Sequence, residues 1–127
     1  MMSHMLLAAA GGAMGAGTRY LVNVGFGRWL GSGFPWHTLF VNIVGSLLMG
    51  LLIEAFALRY HGSMDMRTFL TTGLLGGFTT FSAFSLDFAL LVERKQELAA
   101  GLYLATSIGL SIMALFAGLL IARMVWA

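Results

Sequence analysis

Gly73-Leu74-Leu75-Gly76-Gly77-Phe78-Thr79-Thr80-Phe81-Ser82-Ala83-Phe84-Ser85-Leu86-Asp87 falls mostly within an uncharged run, 68–86, that is long enough to cross a bilayer. Its glycines and paired threonines are poor helix formers, so the run predicts a membrane helix interrupted near its middle. A break at that depth is costly, because an amide without a partner in hydrocarbon loses roughly 2–7 kcal/mol. The freed backbone groups must therefore face protein, water or an ion, which makes the break a candidate binding site. Just beyond it, Phe81 and Phe84 stand at i and i+3 on one helical face, with Thr80, Ser82 and Ser85 interleaved. Asp87 continues that face, and a carboxylate within a membrane helix is either a functional group or a hydrated interfacial one.

Outside this stretch the composition fixes the class. Of 127 residues, 59% are hydrophobic and 9% charged, with a mean hydropathy of +0.89, which excludes an ordinary soluble domain. Uncharged runs at 29–53, 68–86 and 98–122 join a first run at 1–18 that continues past Arg19. At about 20 residues per crossing they predict an all-α protein with a single domain over 1–127. Its four transmembrane helices are expected near 5–26, 38–58, 68–92 and 98–125. The small residues at 8–12 resemble a cleavage site, but no Lys or Arg precedes them, so this segment is read as the first helix.

Several functions are unsupported. The seven basic residues are scattered, which argues against nucleic-acid binding. No cysteine is present, and the three histidines lie far apart at predicted helix ends, so a zinc site is not expected. The glycines lack the Lys-Ser or Lys-Thr of a phosphate-binding loop. No nucleophile stands beside a base, so the chain is not expected to be an enzyme.

The polar residues inside the helices carry the rest. Arg19 lies late in helix 1, where it either snorkels to the interface or places a fixed positive charge in a vestibule. Gly11 and Gly15 form a small-xxx-small pair suited to close helix packing. The glycine-rich segment 25–37, with Trp29, Pro35 and Trp36, is expected to be a loop or short interfacial helix. On helix 2, Thr38, Asn42, Ser46, Gly50 and Glu54 recur every four residues. That stripe either bonds helices together or turns the Asn42 amide toward an anion pathway. On helix 4, Tyr103, Ser107 and Ser111 form a hydroxyl ladder at the same spacing. The serines either bond back to their own helix or line a conducting track.

Four crossings would put Arg59, Arg67 and Arg123 on one side and Arg28, Arg94 and Lys95 on the other. Three against three gives no preferred insertion. Two oppositely inserted copies could then pair as an antiparallel homodimer, bringing both broken helices together so that carbonyls cage a small cation such as Na⁺.

These residues resemble the Fluc (CrcB-like) bacterial fluoride channels. The resemblance rests on Arg19, on Val41-Asn42, on the Gly-Gly-Phe-Thr-Thr-Phe-Ser-Ala-Phe-Ser run at 76–85, and on Tyr103, Ser107 and Ser111. It implies a multi-pass protein of the bacterial cell (inner) membrane and a dual-topology dimer with two fluoride pores. It further implies a central structural Na⁺ on backbone carbonyls at Gly76 and Thr79, pore-lining Phe81 and Phe84 with Asn42 beside them, and Arg19 in the vestibule. Relatives carry a glutamate where this chain has Asp87, so the reach of the shorter acid to the hydroxyl track is open. A small dual-topology proton-coupled cation antiporter is the alternative. Those proteins resemble one another in a helix 1 carboxylate, and this chain has Arg19 there instead.

Overall fold

The computed structural model describes residues 1–31 and 33–126, the side chain of Tyr60 excepted. Among them the regular structure is all helical, without strands. The elements are α1 (Met2–Leu30), α2 (Trp36–Ala55) with a π-helical turn Phe56–Tyr60, α3 (Met64–Arg67), a π-helical stretch Thr68–Leu75, α4 (Gly76–Phe78), α5 (Phe81–Glu93) and α6 (Glu97–Trp126). Three segments are long and apolar enough to cross a membrane: Trp36–Arg59, Met64–Glu93 and Glu97–Trp126. At about 1.5 Å per residue, the 29-residue α1 is also longer than the roughly 30 Å hydrocarbon layer, although it is the least apolar of the long helices.

Several boundaries differ from expectation. Helix 1 does not stop near residue 26: Gly25, Phe26, Gly27, Arg28 and Trp29 stay helical, so that the glycine-rich segment is not a loop from its start. Phe26 packs on Phe40 of α2 with ring centroids 5.2 Å apart, and this contact holds the extra turn. The helix ends at Gly31, whose φ of 75° suits glycine. The third span begins at Met64 rather than Thr68, because the Ser63 side chain accepts the Met66 N–H at 3.1 Å and caps it.

Two glycine seams fix the helix packing. A Cβ on Gly11 would lie 2.5 Å from the Phe69 carbonyl oxygen, and one on Gly15 would lie 2.7 Å from the Phe78 nitrogen. A Cβ on Gly77 would in turn meet the Gly12 oxygen at 2.5 Å. Thus α1 lies backbone to backbone along the third span, as a small-residue face allows. Helices α2 and α6 meet likewise, since a Cβ on Gly118 would sit 2.8 Å from the Leu51 nitrogen. The stripe on α2 is now accounted for in part: Gly50 faces the Leu115 backbone, and Glu54 pairs with Arg123 at 3.2 Å.

Candidate functional site

The third span breaks at Thr79 and Thr80, whose φ/ψ of −88°/160° and −155°/125° are extended. Gly73, Gly76 and Gly77 themselves remain helical; Gly73 and Gly77 lie against the α1 backbone, whereas a Cβ on Gly76 would meet only the Thr71 oxygen of its own span, at 3.5 Å. Below the break, the Thr79 N–H and hydroxyl both donate to the Leu75 carbonyl at 3.0 Å, closing the first half. Above it, the Thr80 hydroxyl accepts the Ala83 N–H at 3.1 Å and caps α5. Gly45 of α2 leaves room for the Thr79 methyl group.

Asn42 holds the break open. Its Oδ1 accepts the Thr80 N–H at 2.8 Å and its Nδ2 donates to the Thr80 carbonyl at 3.0 Å. One amide therefore satisfies both backbone groups of the extended residue, where each left unpaired would cost about 1–3 kcal/mol. A second consequence follows for the carbonyls. In an unbroken helix the Thr80 N–H would reach the Gly76 carbonyl and the Ala83 N–H the Thr79 carbonyl. Asn42 and the Thr80 hydroxyl have taken both donors, so these two oxygens lose their helical partners. Arg19 attends to a third, its Nε donating to the Gly77 carbonyl at 3.2 Å. The guanidinium retains its other N–H groups for a neighbouring cavity.

Asp87 does reach the hydroxyl track. Its Oδ2 accepts from the Thr38 hydroxyl at 2.7 Å and from the Tyr103 hydroxyl at 3.1 Å, which joins α2, α5 and α6 at one oxygen. Thr38 and Tyr103 are fully buried, and Tyr103 packs on Phe84 with centroids 5.2 Å apart. Below Tyr103 on α6, the Ser107 and Ser111 hydroxyls are buried and have no partner in hydrogen-bonding geometry among the described residues. They do not bond back to their own helix, unlike Thr106, which donates to the Leu102 carbonyl at 2.7 Å. Two unpaired buried hydroxyls cost about 2–6 kcal/mol unless something else meets them.

Three cavities share lining residues along these groups. The first, about 110 Å³, is lined by Asn23, His37, Asp87 and Arg94 among others. The second, about 320 Å³, shares Asn23 and His37 and adds Arg19, Thr38 and Thr80. The third, about 300 Å³, shares Thr80 and adds Asn42, Phe81, Phe84, Ser107 and Ser111. Thr80 is thus common to a cationic cavity and to one edged by phenylalanines and hydroxyls. Phe81 and Phe84 stand 5.6 Å apart by ring centroid; Phe84 is buried, and Phe81 is 77% exposed. Ser82 and Ser85 are exposed outside these cavities, Ser82 lying 3.4 Å from the Thr80 hydroxyl and Ser85 donating to the Phe81 carbonyl.

The structure therefore gathers Arg19, Asn42, Thr80, Phe81, Phe84, Asp87, Tyr103, Ser107 and Ser111 around the break. Thr38 was legible only as one of a stripe. Asn23 and His37 gave no signal beyond Asn23 following Arg19 by one helical turn. Among the described residues no group of three His, Cys, Asp or Glu side chains comes close enough for a metal site.

Known proteins are similar to this chain along nearly its whole length. A protein named fluoride-specific ion channel FluC 1 from Nitrobacter hamburgensis is 52% identical over 121 residues, covering 95% of this chain and 96% of that protein. Fluoride-specific ion channel FluC from Chelativorans sp. is 53% identical over 122 residues, covering 96% and 98%. The family described as CrcB-like protein, Camphor Resistance (CrcB), matches residues 6–119, a span that takes in the break, its Asn42 clamp and both unpaired serines. The chain belongs to that CrcB-like family.

Proposed function

We propose that this chain is a fluoride-selective passive channel that exports cytoplasmic fluoride across a bacterial cell membrane. The relatives named as fluoride-specific channels support the ion, and Thr80, which lines both the cationic and the phenylalanine-edged cavity, supports the route. A hydrated anion is drawn toward Arg19, passes the Asn42-clamped break, and loses water to hydroxyl donors and to the positive edges of Phe81 and Phe84. Fluoride, small and strongly hydrated, depends most on such donors. The observation that carries this reading is the pair of buried, unpaired hydroxyls of Ser107 and Ser111 facing the phenylalanine-edged cavity.

The working unit is an antiparallel dual-topology homodimer of four-helix transmembrane chains with two pores. One chain leaves the third cavity bordered by the exposed Phe81, Ile108 and Ile112, an apolar edge that a second copy would cover, with Ser82 and Ser85 beside it. The freed carbonyls of Gly76 and Thr79 suit a hard cation, which favours oxygen ligands. They would hold a structural Na⁺ shared between the two copies, its charge offsetting the dipoles exposed by the break. No bond is made or broken in conduction, so the protein is a channel and not an enzyme.

Efflux from liposomes containing the purified chain tests the proposal. Rapid fluoride release with chloride retained and no need for a proton gradient is expected. Movement only against a proton counterflow would refute the channel and favour the cation antiporter. Phe81→Ile is expected to slow fluoride release at least tenfold while the dimer persists by size; unaltered release would remove the ring edge from the mechanism.

A further inference from the structure

Phe34 lies in the connection between α1 and α2, outside both helices, and its ring begins a series that ends at the break. It meets Tyr103 edge to face, with centroids 5.5 Å apart and planes at 85°. Tyr103 packs in turn on Phe84 at 5.2 Å, and Phe84 on Phe81 at 5.6 Å. The turn that presents Phe34 is stiff. Pro35, the only proline in the chain, has φ/ψ of −81°/66°, and the Trp36 N–H donates to the Phe34 carbonyl at 2.8 Å, which closes an inverse γ-turn. The Trp36 ring also packs against Phe34, at 4.6 Å.

Tyr103 is fully buried and its hydroxyl is held by Asp87, yet that bond does not fix its ring. The ring turns about an axis that passes through the hydroxyl oxygen, so rotation leaves the bonded atom in place and only the neighbours set the plane. Phe84 has no polar group to orient it. Of its two ring partners, Phe81 is largely exposed and Tyr103 is buried, so Tyr103 is the firmer support. We propose that Phe34 is a positioning residue for the pore: acting through Tyr103, it holds Phe84 with its ring edge toward the passing anion.

This rests on the channel reading and adds to it a residue that the ion never touches. An aromatic ring attracts an anion at its positive edge and repels it at its negative face, so a quarter turn of Phe84 reverses its effect on fluoride. What an edge-to-face pair adds beyond burial corresponds to about two- to tenfold in an equilibrium. Without that pair the Tyr103 plane is free to turn, Phe84 follows it, and the edge-on form becomes rarer by about that factor. Leucine or methionine at position 34 keeps an apolar side chain there but offers no plane. Tyrosine keeps the ring and can place its hydroxyl in the cavity of about 110 Å³ that Phe34 lines.

The test is fluoride efflux from liposomes at protein densities low enough that most vesicles hold one dimer or none. The share of vesicles that empties counts assembled channels, and the time course gives the rate of each. Phe34→Leu and Phe34→Met are expected to keep the wild-type share and to slow each channel about two- to tenfold. Phe34→Tyr restores the wild-type rate. A wild-type rate per channel in the ringless variants overturns the proposal. So does a lost share without slowing in the vesicles that still empty, which marks a residue needed only for packing. Phe34→Tyr channels as slow as those of Phe34→Leu overturn it too, since the ring would then restore nothing. In each of these cases the wild type still conducts and the channel reading stands, whereas a wild type that empties no vesicles refutes that reading and this proposal with it.

Discussion

Replacing Asn42 with alanine removes both hydrogen bonds that define Thr80, at 2.8 and 3.0 Å, and leaves an amide and a carbonyl facing the interior. Each orphaned group costs about 1–3 kcal/mol, so the broken conformation loses on the order of 2–4 kcal/mol once partial hydration from the adjoining cavities is allowed. The Thr80 N–H then has an alternative acceptor, the Gly76 carbonyl that it would meet in a continuous helix. At about 1.4 kcal/mol per tenfold, the clamped form falls by roughly 30- to 1000-fold relative to rewound forms. Fluoride efflux from liposomes is expected to drop at least tenfold, with the protein still helical by circular dichroism. Asn42→Asp keeps the acceptor but sets a carboxylate against the Thr80 carbonyl, and is expected to do no better. Flux within twofold of wild type for Asn42→Ala would refute the idea that this amide holds the break.

Two further substitutions separate packing from conduction. Gly15→Leu drives a side chain into the Leu74 and Phe78 backbone and is expected to abolish monodisperse protein on size exclusion. Gly17→Ala, with nothing within 4 Å of the added methyl, is expected to leave it unchanged or raise its melting point slightly. Asp87→Ala strips Thr38 and Tyr103 of their shared acceptor and is expected to destabilise by about 2–4 kcal/mol in thermal unfolding, with flux reduced. Asp87→Asn, which retains an acceptor oxygen, should recover most of the stability; equal losses in both would show that charge, not acceptance, is what these hydroxyls require.

The interruption was legible because Thr79 and Thr80 follow three glycines inside an apolar run, a combination no membrane helix tolerates without reason. Which residues bend was not legible. Propensity pointed at the glycines and the paired threonines alike, yet Gly73 and Gly77 are there to let α1 approach, a tertiary demand with no local trace. The same limit applied to Arg19: its two sequence readings, snorkelling and vestibule charge, omitted the carbonyl of Gly77, 58 residues away, that takes its Nε–H. Helix 1 was cut short in expectation because Gly25 and Gly27 resemble a loop, whereas the packing of Phe26 against Phe40 decides that turn. Asp87 shares a face with Phe84 by spacing alone, but its reach to Tyr103 depends on how α5 and α6 pack, which periodicity does not specify.

The π-helical stretch Thr68–Leu75 has a consequence for how this segment tolerates changes in length. Its i to i+5 bonding accommodates one more residue than an α-helix of equal rise would carry, and that surplus sets the angular phase of Gly73 toward Gly11 and of everything downstream. Deleting a single residue there would let the coil tighten to ordinary winding over the same rise, so the flanking residues would keep their phase, whereas adding one would turn everything downstream by about 100° and take Gly77 off the α1 seam. Loss of one residue is thus tolerated where gain of one is not, and the phase of the winding, more than the number of its residues, is what this segment preserves.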